Sequence, residues 1–333
     1  MATLLAIVLI PNLAACLAVD HALFVLKGPP APTVITIEFP AVDLPGADAG
    51  GRAAHLEPLW IESPIEGWMY GFTVTMRDAS GDTVPSSVLH HLKVLKPAER
   101  ELLHPIMLRV LAAGSETRGA RLPRSIGVPV SEGDSLLATA MIHNDLGTNF
   151  SGVRLRVQID VTPASASSSA RTAYPFFLQV PGPEEIGEFD LPPGRSERSF
   201  QARPAVAGEV IGFGGHAHRY AVELRFEDAA SGQVLWRSAI RTDDTGTILD
   251  VPRKRYVFRR GPMLLPDHIY RVSVVYDNPT GETLVGAGMG TVGGLIVPRG
   301  AWPEVDRNDP LYQLDRDREL NVRGSGAPPP HVH

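Results

Sequence analysis

Apolar and polar residues alternate with a period of two along most of this chain. In a strand, residues i and i+2 share a face. In VRLRVQID (153–160), Val153, Leu155, Val157 and Ile159 fall on one parity, and mostly charged or polar residues on the other. Strand-like stretches recur at VITIEF (34–39), MYGFTVTM (69–76), HLKVL (91–95) and SLLATAMIH (135–143). They continue at YPFFLQV (174–180), QVLWRSAI (233–240), YRVSVVY (270–276) and TLVGAGMGTVGGLIV (283–297). Hairpin-type turns lie between them, at Ala230-Ser231-Gly232 and at Asp277-Asn278-Pro279-Thr280-Gly281. Only KPAERELLH (96–104) carries a helical pattern, and Pro105 stops it. Many short strands with this turn chemistry predict an all-β protein of sandwiches or jelly rolls.

One alternating segment has unusual contents. In GFGGHAHRYAVEL (212–224) and onward, His216, His218, Tyr220, Val222, Leu224 and Phe226 share a parity. The other parity is mostly charged from Arg219 onward. This pattern predicts one amphipathic antiparallel strand with two imidazoles at the start of its core face. A buried polar group without a partner is costly, so the two rings need hydrogen bonds or a metal.

Composition then narrows the picture. A chain of 333 residues with 44% hydrophobic content can bury two cores. A net charge of −6 argues against nucleic acid as a partner. The low-complexity stretch TPASASSSAR (162–171) reads as a loop, and the Pro/Gly-rich, acidic PGPEEIGEFDLPPG (181–194) as a break. Taking strand 174–180 as the close of the first domain gives four parts. These are a signal- or anchor-like segment (1–30), a first β-sandwich (31–182), a second (183–305) and a tail (306–333). In the tail, His331 and His333 lie in a Pro-rich stretch that reads as disordered. The single cysteine, Cys16, excludes an internal disulfide. It follows an apolar run, and Leu13-Ala14-Ala15-Cys16 resembles a bacterial lipobox. The expectation is export to a periplasmic or secreted location, with membrane anchoring through a lipid on Cys16. The absence of Lys or Arg before Lys27 and the Pro11-Asn12 interruption depart from an ordinary signal.

Further candidate ligands lie outside that segment. VLHHLKVL holds His90-His91, AMIHND holds His143, and VGAGMGTVGG holds Met289. Adjacent strand residues point to opposite faces, so His90 and His91 can serve one ion only where the strand starts or bends. Singly, each has an ordinary explanation: a surface pair, a core histidine bonded to a carbonyl, core filler. Jointly they make one set of three imidazoles and one of two imidazoles with a thioether. Imidazole suits Cu, Zn and Fe, and a thioether favours Cu(I). His104 and His268 fit neither set; His104 reads as the cap of the short helix and His268 as a loop residue. No Gly-x-Ser-x-Gly elbow and no phosphate-binding glycine loop occur.

The order His-His, His, His-x-His, Met resembles the copper type II, ascorbate-dependent monooxygenases, the family of the peptidylglycine α-hydroxylating enzyme and dopamine β-hydroxylase. The likeness covers roughly residues 35–300. Its intervals are 52 residues from His91 to His143, 73 from His143 to His216 and 71 from His218 to Met289. The resemblance implies two tandem jelly-roll-like sandwiches with one copper ion on each. It implies an electron-donating copper on His90, His91 and His143, and an O2-binding copper on His216, His218 and Met289. The implied activity is hydroxylation of a substrate C–H bond with O2 and a reductant such as ascorbate. There are departures. Gly214 stands where the peptide hydroxylase has a carboxylate-binding Arg, and Thr291 and Gly293 where it has Asn and Tyr. A peptidylglycine substrate is therefore not expected, and the substrate, small molecule or peptide, stays open. Two alternatives remain: a copper-binding protein for storage, delivery or redox sensing, and a pair of sandwiches with no metal.

Overall fold

The computed structural model describes residues 33–47, 54–115, 117–166, 170–185, 187–256 and 260–320. The lipobox-like segment around Cys16 and the histidines of the C-terminal stretch lie outside these residues. The described residues form one compact unit. It is all-β, with one α-helix among the described residues and two antiparallel jelly-roll-like sandwiches in tandem.

The first sandwich holds β1 (Thr33–Glu38), β2 (Val42–Leu44), β3 (Ala54–His55), β4 (Leu59–Glu62), β5 (Gly67–Arg77) and β6 (Leu89–Arg100). It continues with β7 (Met107–Ala113), β8 (Gly119–Arg121), β9 (Ile126–Val130), β10 (Ser135–Ile142), β11 (Phe150–Pro163) and β12 (Arg171–Thr172). One sheet runs β1-β11-β5-β9-β12 and the facing one β3-β10-β6-β7. The second sandwich holds β13 (Tyr174–Val180), β14 (Phe189–Leu191), β15 (Gly194–Ala202), β16 (Gly208–Ala217), β17 (Ala221–Asp228) and β18 (Val234–Ala239). It adds β19 (Arg241–Thr242), β20 (Ile248–Asp250), β21 (Lys254–Arg255), β22 (Met263–Leu264), β23 (Tyr270–Asn278), β24 (Leu284–Gly288) and β25 (Gly290–Pro298). Here the sheets run β13-β25-β16-β21 and β15-β23-β17-β18.

The period-two alternation fills these interiors as expected. Val153, Leu155, Val157 and Ile159 are all buried from β11. Phe213, Phe226 and Trp236 meet in the second core, with the Phe213 and Phe226 ring centroids 5.5 Å apart and those of Phe213 and Trp236 6.0 Å apart.

Four expectations are corrected. First, strand 174–180 does not close the first sandwich. It pairs residue for residue with β25, from Tyr174 with Ile296 to Val180 with Gly290, so the boundary precedes Tyr174. Long-range pairing decided this, and a Pro/Gly-rich break after the strand carries no information about it. Second, 96–104 is not a helix: β6 runs through Arg100 against β7. The Glu101 carboxylate then accepts from the Leu103 and His104 N–H groups, at 2.6 and 3.0 Å, and fixes a turn. His104 caps no helix; it is buried, with its ring beside Phe177 and Phe200. Third, the tail contains α1 (Pro310–Glu319), started by an Asp309 cap that accepts from the Leu311 N–H at 2.8 Å. Its Tyr312 is buried with Leu95, Met107 and Leu137, and its hydroxyl donates to the Pro97 carbonyl at 3.0 Å. Glu319 meets Lys93 and accepts from Thr139. Fourth, residues 212–228 form two strands in two different sheets, as described for the site below.

The sandwiches are tied together by buried polar contacts. Glu101 Oε1 accepts from the Phe177 N–H at 3.0 Å, and the Arg109 guanidinium lies 4.0 Å over the Phe177 ring. Trp302 stacks on Tyr174 at 3.8 Å and donates to the Arg100 carbonyl at 2.9 Å. From the end of α1, Arg318 donates to the Pro183 carbonyl at 2.6 Å.

The two sandwiches also repeat one corner bond for bond. In the first, the Asn144 side-chain amide donates to the carbonyls of Leu44, Pro45 and Thr148. In the second, Asn278 donates to those of Leu191, Pro192 and Glu282. Asp43 accepts from the Gly152 N–H as Asp190 does from Gly286, each at 2.8 Å, and both glycines have φ of +59°. The sequence trace is Asp43-Leu44-Pro45 against Asp190-Leu191-Pro192. The register extends outward: His143 N–H donates to Val88 O as Asp277 N–H does to Tyr220 O. A β-bulge falls at the same place in both, at His90 between β6 and β10 and at Val222 between β17 and β23.

Candidate metal centre

The first histidine set is built by that bulge. Met141 pairs with His91 and Ile142 with Leu89, so His90 is an extra residue in β6. A bulge locally undoes the strict alternation of faces. It brings the His90 and His91 Nδ1 atoms to 2.9 Å. Two nitrogens bound to one ion at roughly 2.0–2.1 Å stand about 3 Å apart, so this spacing suits a shared metal. Burial pushes the His91 imidazole well below its ordinary pKa, with nearby Lys93 acting in the same direction. The ring is therefore neutral at pH 7, the form that binds metal. His143 follows directly after β10, its backbone held by Val88, but its Nε2 faces Asp145 Oδ1 at 3.2 Å. Among the described residues, no three His, Cys, Asp or Glu side chains are grouped to hold a metal ion as placed. The structure thus joins His90 to His91 and turns the His143 ring to Asp145 instead. His55, which the sequence reading passed over, pairs with Met141 on the strand flanking β10 opposite His91 and lowers the His91 pKa. A lone His-Leu pair beside a segment rich in Gly and Ala gave no signal for it.

The second set forms where β16 leaves its sheet. β16 ends at Ala217, the chain turns through Tyr220 with φ of +69°, and β17 begins in the opposite sheet at Ala221. The turn resets the parity. Phe213 and Ala217 are buried, and a side chain at Gly215 would strike Leu224 and Trp236. His216 therefore lies on the outer face of its sheet. The expected core-facing position is wrong for it, because the alternation read from 216 to 226 spans two strands. The His216 and His218 rings stay close, with centroids 5.3 Å apart and planes at 80°.

Met289 is drawn to the same edge. The expected strand 283–297 breaks at Met289 into β24 and β25. His216 pairs with Thr291 and Ala217 with Gly290, so His218 comes level with Met289. The last bond of this pairing is long: the His218 N–H donates to the Met289 carbonyl at 3.4 Å. The Tyr276 hydroxyl joins both strands at the same point. It accepts from the Met289 N–H at 2.9 Å and the His218 N–H at 3.3 Å, and donates to the Met289 carbonyl. Tyr276 is fully buried, and burial raises its hydroxyl pKa to about 12, so it stays protonated. His216, His218 and Met289 are each half-buried. Two imidazoles and a thioether on facing strand ends are a donor set that fits copper.

Beside this edge two paired glycines put no side chain of their own on the outer face. Gly214 pairs with Gly293, and a side chain at Gly293 would meet only the Phe176 carbonyl at 3.5 Å. The Arg253 side chain, from the segment before β21, lies over Gly214 and reaches Thr117 Oγ1 of the first sandwich at 3.3 Å. A cation thus stands where the sequence showed only a glycine. His268, placed in a loop as expected, bonds Asp228, a pairing that holds the Asp228 carboxyl at about 2.

Comparison with known proteins adds little to this geometry. No family model matches the chain, and no curated protein matches it. Among solved structures, the major capsid protein P2 of bacteriophage PM2 aligns at a TM-score of 0.37 with 12% identity, covering 80% of this chain and 98% of that one. A peptide-N(4)-(N-acetyl-β-D-glucosaminyl) asparagine amidase aligns at 0.40 with 8% identity, covering 82% and 98%. The mavirus major capsid protein aligns at 0.25 with 10% identity, covering 89% and 93%. Likenesses of this size name neither a family nor an activity for this chain.

Proposed function

We propose that the protein is a copper-dependent monooxygenase that hydroxylates a C–H bond with O2 and a reductant such as ascorbate. The observation that carries this is that His218 comes level with Met289 at the end of their strand pairing, with His216 two residues away on the same strand. Copper bound there would supply one-electron redox chemistry and activation of O2. The chain's own residues have separate tasks. His216 and His218 hold the ion, and Met289 adds a soft donor that favours the reduced state. His90 and His91, completed by His143, hold a second ion for electron supply. The open backbone at Gly293 leaves room for substrate, and Arg253, over Gly214, favours one with an anionic group. An extracytoplasmic location, with or without a lipid on Cys16, belongs to the same proposal.

A non-catalytic copper-binding role is the second reading. It is favoured by His143 facing Asp145 and not the His90–His91 pair. The two readings part on ascorbate-driven O2 consumption by the copper-loaded protein, measured with panels of anionic and neutral C–H substrates. Substrate-coupled consumption that is lost in Met289→Ala supports the enzyme. Copper binding with no coupled consumption across the panel supports storage or delivery.

A further inference from the structure

We propose that Tyr276 is the positioning residue of the second site: its buried hydroxyl bonds both strands where their last ladder bond is stretched and so sets the spacing of His218 and Met289. This rests on the copper reading above and adds a residue to it. The repeated corner supplies an internal control. The position equivalent to Met289 in the first sandwich is Leu155, and the one equivalent to His218 is Met76. There the ladder is unbroken, with Leu155 paired to Met76 and the next ladder positions continuing to Arg77. The Leu155 carbonyl also receives the Phe39 N–H at 2.9 Å. In the second sandwich the residue at the Phe39 position is Pro181, directly after β13, as Phe39 is directly after β1. Proline has no N–H to give. The Met289 carbonyl therefore lacks the donor that serves its counterpart, and its backbone donor is the His218 N–H at 3.4 Å.

Tyr276 supplies that donor. Its own counterpart is Ile142, which has no hydroxyl, on the repeat that anchors Asn144 to Asn278. So of the two equivalent positions only that in the second sandwich, where the bond between the strands is stretched at the histidine and methionine, carries a hydroxyl. Its three bonds reach one N–H of His218 and both backbone groups of Met289. A hydroxyl bonded to both strands beside the long direct bond holds them at a fixed distance. The ring packs edge-on against Phe189, with centroids 5.8 Å apart.

The test is Tyr276→Phe, compared with Tyr270→Phe. Tyr270 sits on the same strand, equally buried, with its hydroxyl accepting from Leu265 N–H at 2.9 Å, away from the ligands. Two quantities are read on the full chain: Cu(I) affinity by competition with a chromophoric chelator, and the Cu–S shell in X-ray absorption. Losing an outer-shell partner typically weakens a metal site ten- to a hundred-fold. The expected result is that Tyr276→Phe weakens one Cu(I) by that factor and diminishes the Cu–S shell. The second Cu(I) and the Tyr270→Phe protein stay as in the wild type. In the metal-free protein, amide exchange at His218 and Met289 should accelerate in Tyr276→Phe alone. Unchanged exchange with unchanged Cu(I) affinity and sulfur shell overturns the positioning role while leaving copper binding intact. A wild-type protein that binds no Cu(I) overturns both. Faster exchange at the two amides with intact Cu–S binding limits Tyr276 to a structural role and overturns the proposal.

Discussion

The buried pair at the join between the sandwiches should hide its own titration. Glu101 is fully buried, and desolvation raises its carboxyl from 4.5 to about 7 against three backbone N–H bonds. His104 lies three residues on, and desolvation lowers it from 6.5 to about 4, with Arg100 and Arg109 adding to the effect. The signs oppose. Between pH 4.5 and 7 the folded state holds a proton on Glu101 that the unfolded chain has released, so this group makes stability fall as pH rises. Between pH 4 and 6.5 the unfolded chain holds a proton on His104 that the folded state excludes, so this group makes stability rise with pH. Each shift of about 2.5 units corresponds to roughly 3 kcal/mol. Over pH 4.5–6.5 the two slopes cancel, because folded and unfolded chains carry one proton each on the pair. Replacing one member unmasks the other. Glu101→Gln should lose stability as pH is lowered from 6.5 to 4.5, by up to about 3 kcal/mol relative to wild type. His104→Phe should instead lose stability as pH is raised from 4.5 to 7. The phenylalanine also removes the buried, unpartnered Nε2, so its cost at pH 4.5 is small. Urea unfolding of the metal-free protein by circular dichroism at half-unit pH steps gives the difference profiles. Two variant profiles parallel to the wild type would refute the pairing.

Other outcomes follow from the same geometry. Tyr312→Ala should lower stability by about 3–5 kcal/mol and open α1 to proteolysis, because a buried aromatic and its bond to Pro97 are both lost; limited proteolysis near residue 310 reads this. Asn144→Ala and Asn278→Ala should each destabilise by about 1–3 kcal/mol, since each strands three carbonyls, and similar values in thermal melts would match the repeated corner. Arg253→Ala should leave unfolding within about 0.5 kcal/mol, its side chain being exposed, while raising KM for anionic substrates more than for neutral ones.

The fold was legible in the sequence wherever packing obeyed a local period. The 153–160 alternation translated directly into the buried face of β11. It misled at 212–227, because the parity reset rests on Tyr220, a non-glycine residue at positive φ that no turn signal marks. The helical pattern of 96–104 yielded to pairing with β7, a long-range contact that outweighs propensity. In the tail, Asp309-Pro310 is a readable helix start within a stretch read only as tail. The candidate site is readable as a set of residue types. The placement of those residues is not, since a bulge at His90 and the end of strand pairing at Met289 are features of paired strands. The duplicated Asp-Leu-Pro could have revealed the repeated corner, and with it the place where Pro181 and Tyr276 depart from symmetry.

The most direct test of the central claim is copper stoichiometry and ligation of the purified protein beside Met289→Ala. Two coppers per chain, with a Cu–S shell in the reduced wild type that vanishes in Met289→Ala, is the predicted result. No copper bound at micromolar affinity, or a bound copper whose sulfur shell survives Met289→Ala, would contradict it.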